Sequence, residues 1–166
     1  MRILEIYESI QGELPLIGKP CTIVRVAGCN LTCPYCDAPQ GDGDEFSLDE
    51  IMNSVSHLGN QHVLVTGGEP LIAQGIRSLL SALVEEDYIV SVETNGTIPL
   101  NVGYTSYIDH IIMDVKLFRA KVDAFATEER NLNFLSGDDA IKFVYGSEAD
   151  VENAITFIHC LSHKIT

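Results

Sequence analysis

The sequence predicts an α/β fold built on a parallel sheet. Short β-branched apolar runs alternate with longer stretches of helical period, the pattern of consecutive βαβ units. The segments densest in chemistry-bearing residues come directly after the first three such runs, at the carboxyl ends of strands, where ligands bind in barrels and open α/β sheets. Size is the third observation. The chain has 166 residues, 46% hydrophobic and 20% charged, which suffices for one globular domain, residues 1–166, with a sizeable core.

Taken in order, Arg2 to Tyr7 alternates, with Ile3, Leu4 and Ile6 apolar, and predicts a short strand leading into a polar loop at Glu8 to Glu13. Gly12, Pro15, Gly18 and Pro20 punctuate the following turn. Thr22 to Ala27 is short and β-branched and reads as a buried strand. An irregular segment passes through Asp42, Gly43 and Asp44. Ser47, with Glu50 three residues on, forms a capping box for a helix through Ile51, Val55 and Leu58 that stops at Gly59. His62 to Thr66 is a strand ending in Gly67-Gly68. A helix is expected from Pro70 or Leu71 to Glu86, with Ile72, Ile76, Leu79, Leu80 and Leu83 on one face.

Ile89 to Glu93 reads as a strand ending at Thr94-Asn95-Gly96, and Ile98 to Tyr107 as loop or degenerate helix. His110 to Val115 is a strand followed by Lys116. Leu117 to Gly137 reads as a loop containing helix, Ala140 to Tyr145 as a strand, and Ser147 or Asp150 to Leu161 as a helix. Lys164-Ile165-Thr166 would begin a further strand. The expectation is five parallel strands and a sixth at the end, without repeats, low-complexity tracts or linkers.

A net charge of -14 and a pI near 4.5 argue against a nucleic-acid surface, which needs basic patches. The acidity reads as solubility. The five cysteines are Cys21, Cys29, Cys33, Cys36 and Cys160. An odd number with three clustered is not a secreted disulfide framework and fits a metal site in a reducing compartment. There is no basic segment followed by an apolar one at the start, and no run approaches a membrane span. A cytoplasmic location is expected.

Cys29, Cys33 and Cys36 are spaced C-x3-C-x2-C just after the second strand. Thiolates are soft ligands suited to iron–sulfur clusters, zinc or copper(I). A closed zinc site and a saturated four-iron cluster each need four ligands. Three thiols in one loop therefore suggest a cluster with one iron left open to a small molecule. The competing reading is a zinc site that borrows Cys21, His57 or His62. Cys21 and Cys160 otherwise read as buried thiols, and His57, His62, His110, His159 and His163 match no motif.

With Tyr35 just before the last cysteine, this spacing resembles the radical S-adenosylmethionine (SAM) superfamily. Ser9-Ile10-Gln11-Gly12-Glu13 before the loop, and Thr66-Gly67-Gly68-Glu69-Pro70 and Glu93-Thr94-Asn95-Gly96 after it, narrow the likeness. In that order they resemble the 7-carboxy-7-deazaguanine synthase family, from about Tyr7 to Val144. The resemblance implies a reduced, partly open (β/α)6-type barrel, here with its last unit truncated. It implies a lyase that converts 6-carboxy-5,6,7,8-tetrahydropterin to 7-carboxy-7-deazaguanine with loss of ammonia, in queuosine and 7-deazapurine biosynthesis.

The implied cofactors are SAM and a 4Fe-4S cluster on Cys29, Cys33 and Cys36, with SAM on the open iron. Tyr35, Cys36 and Asp37 would lie against SAM. Gly67 and Gly68 would let the backbone approach it closely, and Glu69 or its neighbours would take its ammonium. Glu93 and Asn95 would bond the ribose or the substrate, unless Asn95-Gly96 is an ordinary turn. Lys116 is the retained residue of a Ser-Pro-Lys segment that reads Asp114-Val115-Lys116 here. Ile10, Gln11, Gly12 and Glu13 would read the pterin, with Thr66 facing it. Arg25 would take the substrate carboxylate with its two-pronged fork, or be tied in an internal salt bridge.

Ala38 stands where the family has a threonine that meets magnesium, which leaves either Asp37, substrate and water for that ion or no magnesium at all. Leu14 replaces a glycine. A Gln-Pro segment and a C-terminal end that contact SAM and substrate are not found in the sequence. Implied partners are the pterin, a reducing protein such as flavodoxin or ferredoxin, and a second copy in a homodimer, with no nucleic acid and no membrane. The alternatives are a small radical SAM activase that makes a glycyl radical on a protein partner, a zinc-stabilised binding module, and a degenerate relative that binds SAM without turnover.

Overall fold

Thr22, Val24 and Val26 alternate with Ile23 and Arg25, and this period of two decides how the chain layers. In the computed structural model, which describes residues 1–33, 36–39, 41–115 and 130–162 (side chains of 160–162 excepted), these residues form β2 (Pro20–Val26). The other strands are β1 (Arg2–Ile10), β3 (Asp44–Glu45), β4 (His62–Gly67), β5 (Ile89–Thr94), β6 (His110–Val115) and β7 (Ala140–Phe143). One seven-stranded sheet results, in the order β3-β1-β2-β4-β5-β6-β7. The pairs β2–β4, β4–β5, β5–β6 and β6–β7 are parallel, and β1 is antiparallel to both neighbours. The five expected parallel strands are all present. β3 and β7 are the edges, so the sheet is open.

One face packs under helices. Val24, Val26, Val63, Val65, Val90, Val92, Ile111 and Met113 meet Ile51 and Val55 of α1 (Leu48–Leu58) and Ile76, Leu79, Leu80 and Leu83 of α2 (Ile76–Glu85) in one core. α1 starts as expected: the Ser47 hydroxyl accepts from the Glu50 amide at 3.2 Å, and the Glu50 carboxylate accepts from the Ser47 amide at 2.8 Å. Such a cap stabilises by about 1 kcal/mol. The opposite face is layered. Its middle is an apolar plug of Cys21, Ile23, Leu64 and Ile112 with Tyr7 and Ala140. Arg25, Thr66, Glu93, Asp114 and Lys142 stand toward the carboxyl ends of the parallel strands. His62 and Ser91 stand toward the amino ends.

Four expectations are corrected. β1 runs to Ile10, so Glu8 to Ile10 are strand, because Ile10 still pairs with Pro20 and the loop closes only beyond, where the Gln11 amide donates to the Lys19 carbonyl at 2.8 Å. The segment at Asp44 is not wholly irregular, since Asp44–Glu45 pairs with Arg2 and Ile3. The helix expected from Pro70 to Glu86 is broken into a 3-10 turn, Pro70–Ile72, and α2. Gly75 has φ 87°, a left-handed conformation that interrupts a helix and that glycine adopts freely. Finally, β7 ends at Phe143, two residues early. The degenerate helix materialises as one turn, α3 (Val102–Thr105), capped by Asn101. α4 spans Glu148–Ser162. Of the expected loop Leu117–Gly137, residues 117–129 lie outside the described residues, as does the sixth strand at Lys164–Thr166.

The amino-end layer carries a pH prediction. His62 is 4% exposed and its Nε2 lies 2.8 Å from Ser91 Oγ. Burial, then the neighbouring His110, push its pKa below the ordinary histidine value against the pull of Asp109. The unfolded chain therefore binds a proton, near pH 6.5, that the folded chain refuses. Stability is full above that pH and falls as pH drops toward the folded pKa, by up to about 1.4 kcal/mol per pH unit. Urea titrations of wild type and His62→Gln between pH 5 and 8 should show a shallower acid slope in the variant. Parallel slopes would mean that His62 takes no part.

Candidate active site

A cavity of about 720 Å³ opens at the carboxyl ends of the parallel strands. Cys29, Cys33 and Cys36 all border it, together with Asp37, Gly67, Gly68, Glu93, Asn95, Glu13, Arg25, Thr66, Asp114 and Lys142. The loop that follows β2 thus forms one wall, and the polar layer of the sheet forms the floor. The more open hollow of about 470 Å³ near Arg77 and Tyr107 contains no cysteine.

The cysteine loop is seated by β4 and β5. The Glu69 amide donates to the Gly28 carbonyl at 2.9 Å, and the Gly68 amide to the Val26 carbonyl at 3.4 Å. A Cβ on Gly68 would lie 2.1 Å from the Gly28 oxygen and 2.7 Å from Cys29 Cβ. The space that the glycine leaves is thus filled by the cysteine loop itself, while Gly68 also borders the cavity. Asn95 Nδ2 donates to Asn30 Oδ1 at 3.0 Å and toward Cys29 Sγ at 3.7 Å. The Leu31 amide also donates to that sulfur at 3.4 Å. Two N–H donors suit a thiolate that holds a metal, and such bonds tune a cluster's potential. Cys29 and Cys36 are exposed and Cys33 is half-buried.

The fourth ligands of the zinc reading are out of place. Cys21 is fully buried near the amino end of β2, about 17 Å along the strand from its exit. His62 opens β4 at the same end, and His57 lies in the last turn of α1. Among the described residues no three His, Cys, Asp or Glu side chains form a shell for a single ion. A four-iron cluster makes a different demand, since each thiolate binds its own corner. The three thiols around one cavity fit that demand.

Glu69, expected with its neighbours to meet the ammonium of SAM, has a side chain that is 0% exposed. It accepts from the Leu71 amide at 3.0 Å, the Asn95 amide at 2.6 Å and the Thr94 hydroxyl at 2.9 and 3.0 Å. Burial raises its pKa, opposed by these donors. Glu69 ties the β4 turn to the exit of β5 and shapes the wall through backbone.

On the floor, Thr66 donates to Glu93 at 2.7 Å. Burial holds the Glu93 carboxyl above its ordinary range, with Thr66 opposing. Arg25 donates to Glu5 at 2.7 Å and to the Tyr7 hydroxyl at 2.9 Å, so the internal salt bridge exists alongside its place on the cavity. Of the substrate set, Glu13, Arg25 and Thr66 line the cavity, and Ile10, Gln11 and Gly12 do not. Ile10 is 67% exposed and Gln11 is 2% exposed, clamping the loop by accepting from the Glu13 amide at 3.1 Å. Tyr35 and Lys116 lie outside the described residues.

Sequence reasoning missed Lys142 and passed over Asp114. Lys142 Nζ is 2.7 Å from Glu13 Oε1 and 3.3 Å from Asp114 Oδ1. The available signal was a lysine between Ile141 and Phe143 in a strand, since a charge there needs a partner.

This architecture has known counterparts. The profile of the radical SAM superfamily matches residues 23–126, and the protein is a member of that superfamily, which implies a 4Fe-4S cluster and SAM. The 7-carboxy-7-deazaguanine synthase of Methanospirillum hungatei JF-1 is 38% identical over 161 residues, 93% of this chain and 65% of that protein. That of Thermoplasma acidophilum is 36% identical over 160 residues, 95% of this chain and 76% of that protein. The chain belongs to the 7-carboxy-7-deazaguanine synthase family. It spans just under two thirds of the Methanospirillum relative's length. The crystal structure of QueE from Escherichia coli shares the fold, with a TM-score of 0.58 over 98% of this chain and 90% of that one, at 19% identity.

Proposed function

We propose that this protein is a radical SAM lyase that converts 6-carboxy-5,6,7,8-tetrahydropterin to 7-carboxy-7-deazaguanine with release of ammonia. The observation that carries the reading is one cavity with two walls of different chemistry: a triad of thiols on one side, and paired acids and bases on the other. Cys29, Cys33 and Cys36 would hold the cluster, which with SAM supplies the one-electron chemistry that removes a hydrogen atom from the substrate. Cys36, Asp37, Gly68 and Glu93 border the space for SAM, with Tyr35 and Lys116 added by resemblance.

Arg25 keeps guanidinium N–H groups for the substrate carboxylate beyond those given to Glu5 and Tyr7. Glu13 presents an acceptor to the N–H groups of a pterin edge. Its Oε2 is buried with no hydrogen-bond partner among the described residues, a costly arrangement that a ligand donor would relieve. Glu93, whose carboxyl burial holds above its ordinary range, offers a further acceptor on the same wall. A magnesium ion would have Asp37 as its protein ligand, because Ala38 offers no ligand atom. A flavodoxin or ferredoxin would deliver the electron, and a second copy would form a homodimer. Among the described residues no helix is long and apolar enough to cross a membrane, in keeping with the proposed cytoplasmic setting.

Anaerobic reconstitution with iron and sulfide, followed by SAM, reductant and carboxypterin, should yield 5′-deoxyadenosine and the deazapurine together. Deoxyadenosine without the deazapurine would assign the cavity to another substrate.

A further inference from the structure

Lys142 belongs to none of the motifs that carry the family resemblance, yet it joins three elements distant in sequence. Its ammonium sits between Glu13, which follows β1, and Asp114, which lies beside it across the β6–β7 pair. β1 and β7 are separated in the sheet by four strands, so the Lys142–Glu13 contact at 2.7 Å spans the open side of the half-barrel. We propose that Lys142 is a positioning residue: it grips one oxygen of Glu13 so that the other is presented to an N–H donor of the ligand. The ligand class is a heterocycle with adjacent N–H groups on one edge. This rests on the reading of Glu13 as a substrate contact.

Three observations support the assignment. Glu13 Oε1 is taken by Lys142, while Oε2 is buried without a partner among the described residues. The two side chains are only about one-third exposed, at 33% and 32%, so the pair is not a free surface ion pair. The charged groups facing Lys142 are acidic: Asp114, Glu13 and Glu93. Burial alone would lower its pKa, but these neighbours outweigh it and raise the pKa, so the ammonium persists through any working pH.

The test compares wild type, Lys142→Met and Lys142→Arg as full chains. Without ligand, Lys142→Met should speed amide exchange of residues 11–19 about tenfold, as expected for release of one partly buried tie, while α1 and α2 keep their protection. In the anaerobic holoenzyme, KM for the carboxypterin should rise at least about tenfold with a smaller change in kcat. Lys142→Arg should restore most of both effects. The double variant Glu13→Gln/Lys142→Met should be no worse than Glu13→Gln alone. Unchanged loop exchange, exchange that rises equally in α1 and α2, or an unchanged KM would overturn the assignment. If wild type does not bind carboxypterin, the substrate reading fails, and the loop exchange still decides whether Lys142 holds Glu13.

Discussion

Gly68→Ala is expected to leave the protein unable to hold iron. The new Cβ would stand 2.1 Å from the Gly28 oxygen, 2.6 Å from the Gly28 carbonyl carbon and 2.7 Å from Cys29 Cβ. Two of these are backbone atoms, and the backbone there is pinned by the Glu69 amide bond to Gly28. No rotamer change can relieve the collision, so the strand exit that carries Cys29 must shift. Overpacking of this kind costs on the order of 1–3 kcal/mol, and more where backbone must move. Iron and sulfide retained after anaerobic reconstitution should fall at least about tenfold, and the Tm should drop by several degrees. Gly137→Ala, with nothing within 4 Å of the added methyl, is the control and should keep its iron. Full iron content in Gly68→Ala would show that the close approach of the two loops is unimportant.

The second large effect is expected at Glu69. Removing its carboxylate leaves the Asn95 and Leu71 amides and the Thr94 hydroxyl without their acceptor, inside a fully buried site. Each unsatisfied buried donor costs about 1–3 kcal/mol, and the vacated volume adds to that. Glu69→Ala should therefore destabilise the fold by about 4 kcal/mol, or on the order of 10 °C in Tm. Glu69→Gln preserves the volume but turns an NH2 toward backbone N–H groups, and should lose about half as much. Urea unfolding measures both. If Glu69→Ala is as stable as wild type while its affinity for SAM collapses, the side chain is a cofactor ligand after all.

The parts of the fold that were legible rest on local rules. Ser47 and Glu50 announce a helix start because the capping box is written in four consecutive residues. The parallel strands were legible because both faces of the sheet are covered there, and apolar runs such as Val63-Leu64-Val65 betray that burial. What was hidden depends on partners distant in sequence. β1 outlasts its apolar alternation because Pro20 and Cys21 arrive opposite Ile10 and Ser9. Arg25 meets Glu5 because the antiparallel register sets them opposite one another. The bonds that the Glu69 carboxylate accepts from Thr94 and Asn95 form only when β5 arrives, which its own strand-end motif does not announce. Lys142 and Asp114 became neighbours through the β6–β7 register, which no local pattern encodes.

The most direct test is electron paramagnetic resonance of the anaerobically reconstituted, dithionite-reduced protein, recorded before and after SAM is added. A brown protein with about four irons per chain should give a reduced-cluster signal that changes when SAM occupies the uncoordinated iron, and Cys29→Ala, Cys33→Ala and Cys36→Ala should each abolish it. A colourless protein carrying one zinc, or a cluster signal indifferent to SAM, would contradict an open-iron centre at the mouth of this half-barrel.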